Sequence, residues 1–123
     1  MAKILLAEDD ESLRRFLTNA LRKAGHEVVD YGQGDQALTA LEAEPNEHGF
    51  DLLLTDIVMP VMDGIELARR AEDIDPTLKI VFITGFAAVA LNPDNEAPRN
   101  AKVLSKPFHL RDLVQEVERV VAA

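Results

Sequence analysis

Short, nearly unbroken apolar runs alternate along this chain with longer segments whose apolar residues recur every three or four positions. The runs are KILLA (3–7), EVVDY (27–31), DLLLT (51–55), KIVFI (79–83) and AKVL (101–104). Runs this short, bounded by polar and Gly-containing segments, read as strands, and strands without alternation are those covered on both faces. Two stretches carry a helical period. Leu13, Phe16, Leu17, Ala20, Leu21 and Ala24 form one stripe over 12–24, with Asp10 or Ser12 as the N-cap and Gly25 as the stop. Leu110, Leu113, Val114, Val117, Val120 and Val121 form a second stripe, set off upstream by Pro107. Both helices should cover a sheet. Five short strands interleaved with helices predict an α/β fold, a doubly wound, five-stranded parallel sheet with helices on both faces.

One segment resists this pattern. LNPDNEAPRN (91–100) occupies the place of the fourth helix, between the fourth and fifth strands. Pro93 and Pro98 would each cost a helix interior about 3 kcal/mol, and Asn92, Asn95 and Asn100 favour turns. The fourth helix is therefore expected to be short or irregular and confined to 86–91, with FAAVAL as its body packed on the core or as an exposed patch.

Composition narrows the function classes. A chain of 123 residues that is 47% apolar fits a single domain spanning 1–123, with no attached output domain. A net charge of −9 opposes contact with a phosphate backbone, so direct DNA binding is not expected. The absence of cysteine excludes disulfides and thiolate metal sites. No apolar run approaches the roughly 20 residues of a membrane span, and the first residues lack the parts of a signal peptide, so a cytoplasmic protein is expected. His26, His48 and His109 show no metal-ligand spacing and read as surface or capping residues.

The candidate chemistry lies just past the strand ends. ILLA leads into Glu8, Asp9 and Asp10, DLLLT into Asp56, IVFI into Thr84 and KVLS into Lys106. Two ionised groups roughly 4 Å apart repel by about 4 kcal/mol at an effective dielectric near 20, so the acidic run needs solvent, neutralisation or a cation. Each feature alone has an ordinary explanation: EDD as a turn or helix cap, Thr84–Gly85 as turn chemistry, Lys-Pro as a loop. In an open parallel sheet, however, strand ends gather at the carboxyl edge, where ligands bind. Carboxylates, a hydroxyl and an ammonium collected there suit a divalent cation and a phosphoryl group, and Mg²⁺ favours oxygen ligands and retained water.

The order of an acidic pair, LLLTDIVMPVMDG, FITG and SKPF resembles the receiver domain of bacterial two-component response regulators over nearly the whole chain. The resemblance implies the CheY-like strand order 2-1-3-4-5 and assigns roles. Asp56 would be the phosphoacceptor, fed by a histidine kinase or histidine phosphotransfer protein. Asp9 and Asp56 would hold Mg²⁺ with the main-chain oxygen of Val58, Glu8 would act through water, and Asp10 is a further candidate. Lys106 and Thr84 would bind the phosphoryl oxygens, and Pro107 would follow a cis peptide. Gly85 would leave room for the donor. Val58 and Phe86 stand at the positions that flank the hydrolytic water, and neither can orient it, which predicts slow self-dephosphorylation. Val103 stands where the family commonly has an aromatic switch residue, so an aromatic rotamer switch is excluded.

These departures, with FITGFAAVALNP and AKVLSKPFHLRDLV, are similar to a narrower group, the single-domain CpdR-type regulators of alphaproteobacteria. That similarity implies an adaptor that links a phosphorelay to the ClpXP protease in the cell cycle. Phosphorelay intermediate and motor-type binder are the alternatives within the class. A Mg²⁺-dependent phosphohydrolase would want a second aspartate where Val58 stands. The closing VVAA is similar to tails that unfoldases recognise, which makes Ala122 and Ala123 a candidate degradation signal, or simply a frayed helix end.

Overall fold

The computed structural model describes residues 2–43, 49–85, 98 and 101–123. In chain order its elements are β1 (Lys3–Ala7), α1 (Glu11–Lys23), β2 (Glu27–Tyr31), α2 (Gly34–Ala43), β3 (Leu52–Asp56), α3 (Gly64–Ile74), β4 (Lys79–Thr84), β5 (Lys102–Ser105) and α4 (Leu110–Ala122). The five strands form one parallel sheet in the order β2-β1-β3-β4-β5, as expected. The reading of 86–91 as helix or core lies outside the described residues.

Strand pleating sorts the apolar runs between two layers. Leu5, Leu53, Ile80 and Phe82 face α2 and α3, where Ala37, Leu41, Leu67 and Ala71 meet them. Ile4, Leu6, Leu54, Val81 and Ile83 face the other way, onto Leu17, Leu21, Leu113 and Val117 of α1 and α4. Covering both faces is why the strands need no polar alternation. The register sets Ala7 opposite both Tyr31 and Thr55, and Asp56 opposite Ile83. The strands therefore finish level with one another, and the residues just beyond them share one edge.

Helix starts reflect local chemistry. Asp10 caps α1 by accepting from the Leu13 N–H at 3.0 Å, and Asp63 caps α3 by accepting from the Glu66 N–H at 2.8 Å. Gly25 stops α1 with φ 98°, a conformation that disfavours any Cβ.

Two expectations are corrected. The α1 stripe does not all cover the sheet. Leu17 and Leu21 are fully buried, whereas Phe16 is 54% exposed and lines a groove beside α4 with Asn19, Ala20 and Leu110. Ala24 is also exposed. A stripe six residues long spans more arc than one line of contact with a sheet can cover. His26 is buried rather than at the surface, with Nδ1 accepting from the Ala2 N–H at 3.1 Å. His109 does occupy the N-cap position of α4, without a side-chain cap bond.

Candidate functional site

The carboxyl edge of the sheet holds an acidic cluster. Glu8, Asp9 and Asp56 each place a carboxylate oxygen within 4.8 Å of the others. Glu8 continues β1, its N–H donating to Tyr31 O at 3.1 Å, and it is fully buried. Its Oε2 accepts from the Asp10 N–H at 3.1 Å. Asp56 closes β3 and is nearly buried, while Asp9 is exposed. Asp10 is not in this cluster; its carboxylate is engaged in capping α1.

Lys106 arrives from the neighbouring half of the sheet. Its main-chain N–H donates to Thr84 O at 2.7 Å, which ties the end of β5 to the end of β4, and the Lys106–Pro107 peptide is cis. Lys106 Nζ donates to Asp56 Oδ2 at 2.9 Å and lies 3.5 Å from Glu8 Oε1. Thr84 is fully buried, and in register with Ser105.

These contacts set the protonation of the site. Burial pushes the Glu8 carboxyl up, and the Asp56 charge and the hydrogen bond with Asp9 push the same way. The Asp10 N–H and the Lys106 charge pull it back, and the result is about 7. For Lys106, burial alone would lower the ammonium, but its hydrogen bond to Asp56 and the charges of Glu8 and Asp56 raise it above its ordinary value. The lysine stays charged and shared between two acids.

The remaining candidates are placed unevenly. Gly85 is exposed, and a Cβ built there would meet nothing within 4 Å. The Val58 side chain is 54% exposed. Val103, paired with Phe82, is half-buried against the core on the α2 and α3 face. Pro107 is exposed, and Phe86 lies outside the described residues. Ala122 ends α4, and Ala123 O accepts from Lys79 Nζ at 3.4 Å. Lys79 begins β4, so the last two residues stand at the opposite edge of the sheet from Asp56.

Gly64 was not singled out by its sequence. Its N–H donates to Ile57 O at 2.7 Å, folding the 57–63 loop back onto β3. A Cβ at Gly64 would lie 1.9 Å from Asp56 O and 2.8 Å from Asp56 C. The main chain carrying Asp56 thus passes where any other residue would put its side chain. The signal available was the Asp63-Gly64 pair opening α3.

Residues 4–118 match the response regulator receiver domain. The chain belongs to the response regulator receiver family. The receiver is 67% identical over its whole length to the response regulator receiver protein CpdR of Brucella abortus, covering 99% of that protein. It is 32% identical to 12% of the sensor kinase CckA of the same organism. Among solved structures, a response regulator receiver protein from Sinorhizobium medicae superposes with a TM-score of 0.86 at 32% identity, covering 99% of this chain and 95% of that one. Receivers are signalling proteins that accept phosphate from histidine kinases or phosphotransfer proteins and use Mg²⁺ in an acidic pocket. This chain has such a cluster, and no helix among the described residues is long and apolar enough to cross a membrane.

Proposed function

We propose that this protein is a cytoplasmic single-domain response regulator, phosphorylated on Asp56, whose phosphorylation switches the binding of a protein partner. One observation carries the reading: the Asp56 carboxylate lies within 4.8 Å of those of Glu8 and Asp9 and 2.9 Å from Lys106 Nζ. An Asp56 oxygen attacks the phosphorus of a phosphohistidine. A P–O bond forms as the P–N bond breaks, the electron pair returns to the imidazole, and an acyl phosphate is left on Asp56.

The donor set fits Mg²⁺: three carboxylates at short mutual reach, one open to water. Asp9, Asp56 and the Val58 main-chain oxygen would hold the ion and Glu8 would act through water, while Asp10 keeps its capping role. Bound there, Mg²⁺ offsets the carboxylate and phosphoryl charge. Lys106 moves from Asp56 Oδ2 onto a phosphoryl oxygen, and Thr84 donates to another. The ends of β4 and β5 at Thr84 and Lys106 are drawn toward the phosphoryl group, and that movement is the output. Val58 offers no hydrogen bond to an attacking water, so the acyl phosphate should outlast the seconds timescale. Purified phosphoprotein losing its label within seconds would contradict this.

The 67% identity to CpdR supports the finer reading, an adaptor that controls ClpXP-dependent proteolysis. The test is an affinity capture from lysate comparing Asp56→Asn with wild type loaded with Mg²⁺ and beryllofluoride. Enrichment of the ClpX unfoldase by the Asn variant, and its loss with the loaded form, is the expected result. Recovery only of histidine phosphotransfer proteins would make the chain a relay intermediate instead.

A further inference from the structure

The acidic pair stands where β1 runs out of ladder partners. Glu8 gives its N–H to Tyr31 O, the last rung toward β2, and the chain then turns through Asp9 to the α1 cap. The Glu8 carbonyl is satisfied by a side chain: Arg14 Nη1 donates to it at 2.9 Å. The same guanidinium donates from Nε to Asp30 Oδ2 on β2 at 3.1 Å. Arg14 is itself fixed in the first turns of α1, its N–H donating to Asp10 O at 2.8 Å. The slot it occupies depends on a missing side chain, because a Cβ on Gly32 would lie 2.8 Å from Nη1. Arg14 and Asp30 are only 22% and 33% exposed at their side chains. The rigid fork of an arginine can bridge two acceptors in fixed directions, whereas a lysine ammonium is a single point.

We propose that Arg14, oriented by Asp30, is a positioning residue for the metal pocket. It anchors the main chain at Glu8 so that the Glu8 and Asp9 carboxylates are held toward Asp56. It touches neither a reacting atom nor an ion. This rests on the reading of the acidic cluster as a Mg²⁺ site. Glu8 is then fixed at its N–H by Tyr31, at its carbonyl by Arg14 and at its carboxylate by Asp10 and Lys106. Removing the carbonyl anchor frees the hinge from which both ligands project.

The experiment uses the full chain and Mg²⁺ alone as the probe, with affinity measured by calorimetry and urea stability measured in parallel. Arg14→Met should weaken Mg²⁺ binding roughly tenfold, the effect of losing an outer support of a metal ligand. Arg14→Lys should restore only part of that loss. Gly32→Ala, which keeps the arginine but fills its slot, should weaken Mg²⁺ binding in the same direction and covers the case in which Arg14→Met does not fold. The Glu8 carbonyl ¹³C resonance should move in each variant, while the β4 and β5 amide resonances stay in place. Variants that lose stability yet bind Mg²⁺ within about twofold of wild type would overturn the proposal. If wild type shows no saturable Mg²⁺ binding, the metal reading fails first and the proposal with it.

Discussion

The two edges of the sheet solve the same problem in opposite ways. At both, five strands end and polar groups meet a low-dielectric interior. At the amino edge the partners match. Asp51 Oδ2 accepts from the Lys3 N–H at 2.8 Å, and Asp51 O accepts from the Lys79 N–H at 3.2 Å. His26 Nδ1 accepts from the Ala2 N–H, and the Lys3 ammonium lies over the Phe50 ring, 4.7 Å from its centre. Hydrogen bonds there join mostly neutral groups, and among the described residues no carboxylate is left buried. At the carboxyl edge three carboxylates face one ammonium among the described residues, and one of them, Glu8, is fully buried. Buried like charges are expensive. An arrangement selected for stability alone would resemble the amino edge. The excess of carboxylate at the carboxyl edge fits the proposed binding of a cation there.

The largest effect expected on that contrast is chemical. Asp56→Asn should reduce phosphoryl incorporation from a phosphohistidine protein or from phosphoramidate to background, read by radiolabel, while leaving the fold intact. Labelling that persists would place the acceptor elsewhere.

Next come the glycines of the two edges. Gly64→Ala must displace the Asp56 main chain, where a Cβ would sit 1.9 Å from the carbonyl oxygen, and should cost at least about 3 kcal/mol in urea denaturation. Gly25→Ala at the amino edge has φ 98° but open space, and should cost only about 1 kcal/mol. Equal costs would mean that the chain at Gly64 relaxes away from the added methyl and that close approach does not govern that position.

The edges should also differ in pH response. The folded Glu8 carboxyl stands at about 7 against an ordinary 4.5, so the folded state binds its proton more tightly than the unfolded chain does. Without Mg²⁺, stability should fall as pH rises from about 4.5 to about 7, by at most about 3 kcal/mol from this group. Above that range the loss is complete. Glu8→Gln should flatten the slope, and saturating Mg²⁺ should reverse it. A slope unchanged in Glu8→Gln would assign it to other groups.

The smallest effect belongs to the amino edge. His26→Phe leaves the Ala2 N–H without its acceptor and should cost about 1 kcal/mol. Mg²⁺ affinity should not change, since His26 lies at the opposite edge from Asp56. A change in affinity would mean that the two edges are coupled through the sheet.

The sequence by itself determined the strands, the parallel α/β class and the gathering of Glu8, Asp9, Asp56, Thr84 and Lys106. Each depends on a local pattern: apolar runs of strand length, and polar residues where those runs stop. An N-cap at Asp10 or Ser12 was legible for the same reason, and the structure assigns it to Asp10. What tertiary structure alone decided concerns contacts between elements distant in the chain. Phe16 belongs to the same helical stripe as Leu17, and only the docking of α1 shows which of them faces the sheet. His26 reads as a surface or capping residue until the start of β1 is laid beside it. Arg14 looks like any helix arginine until β2 brings Asp30 and Gly32 to its side, and Gly64 like any turn glycine until β3 passes through the space of its absent side chain. Patterns along a chain record which groups are buried and which are charged, and only the fold decides which of them meet.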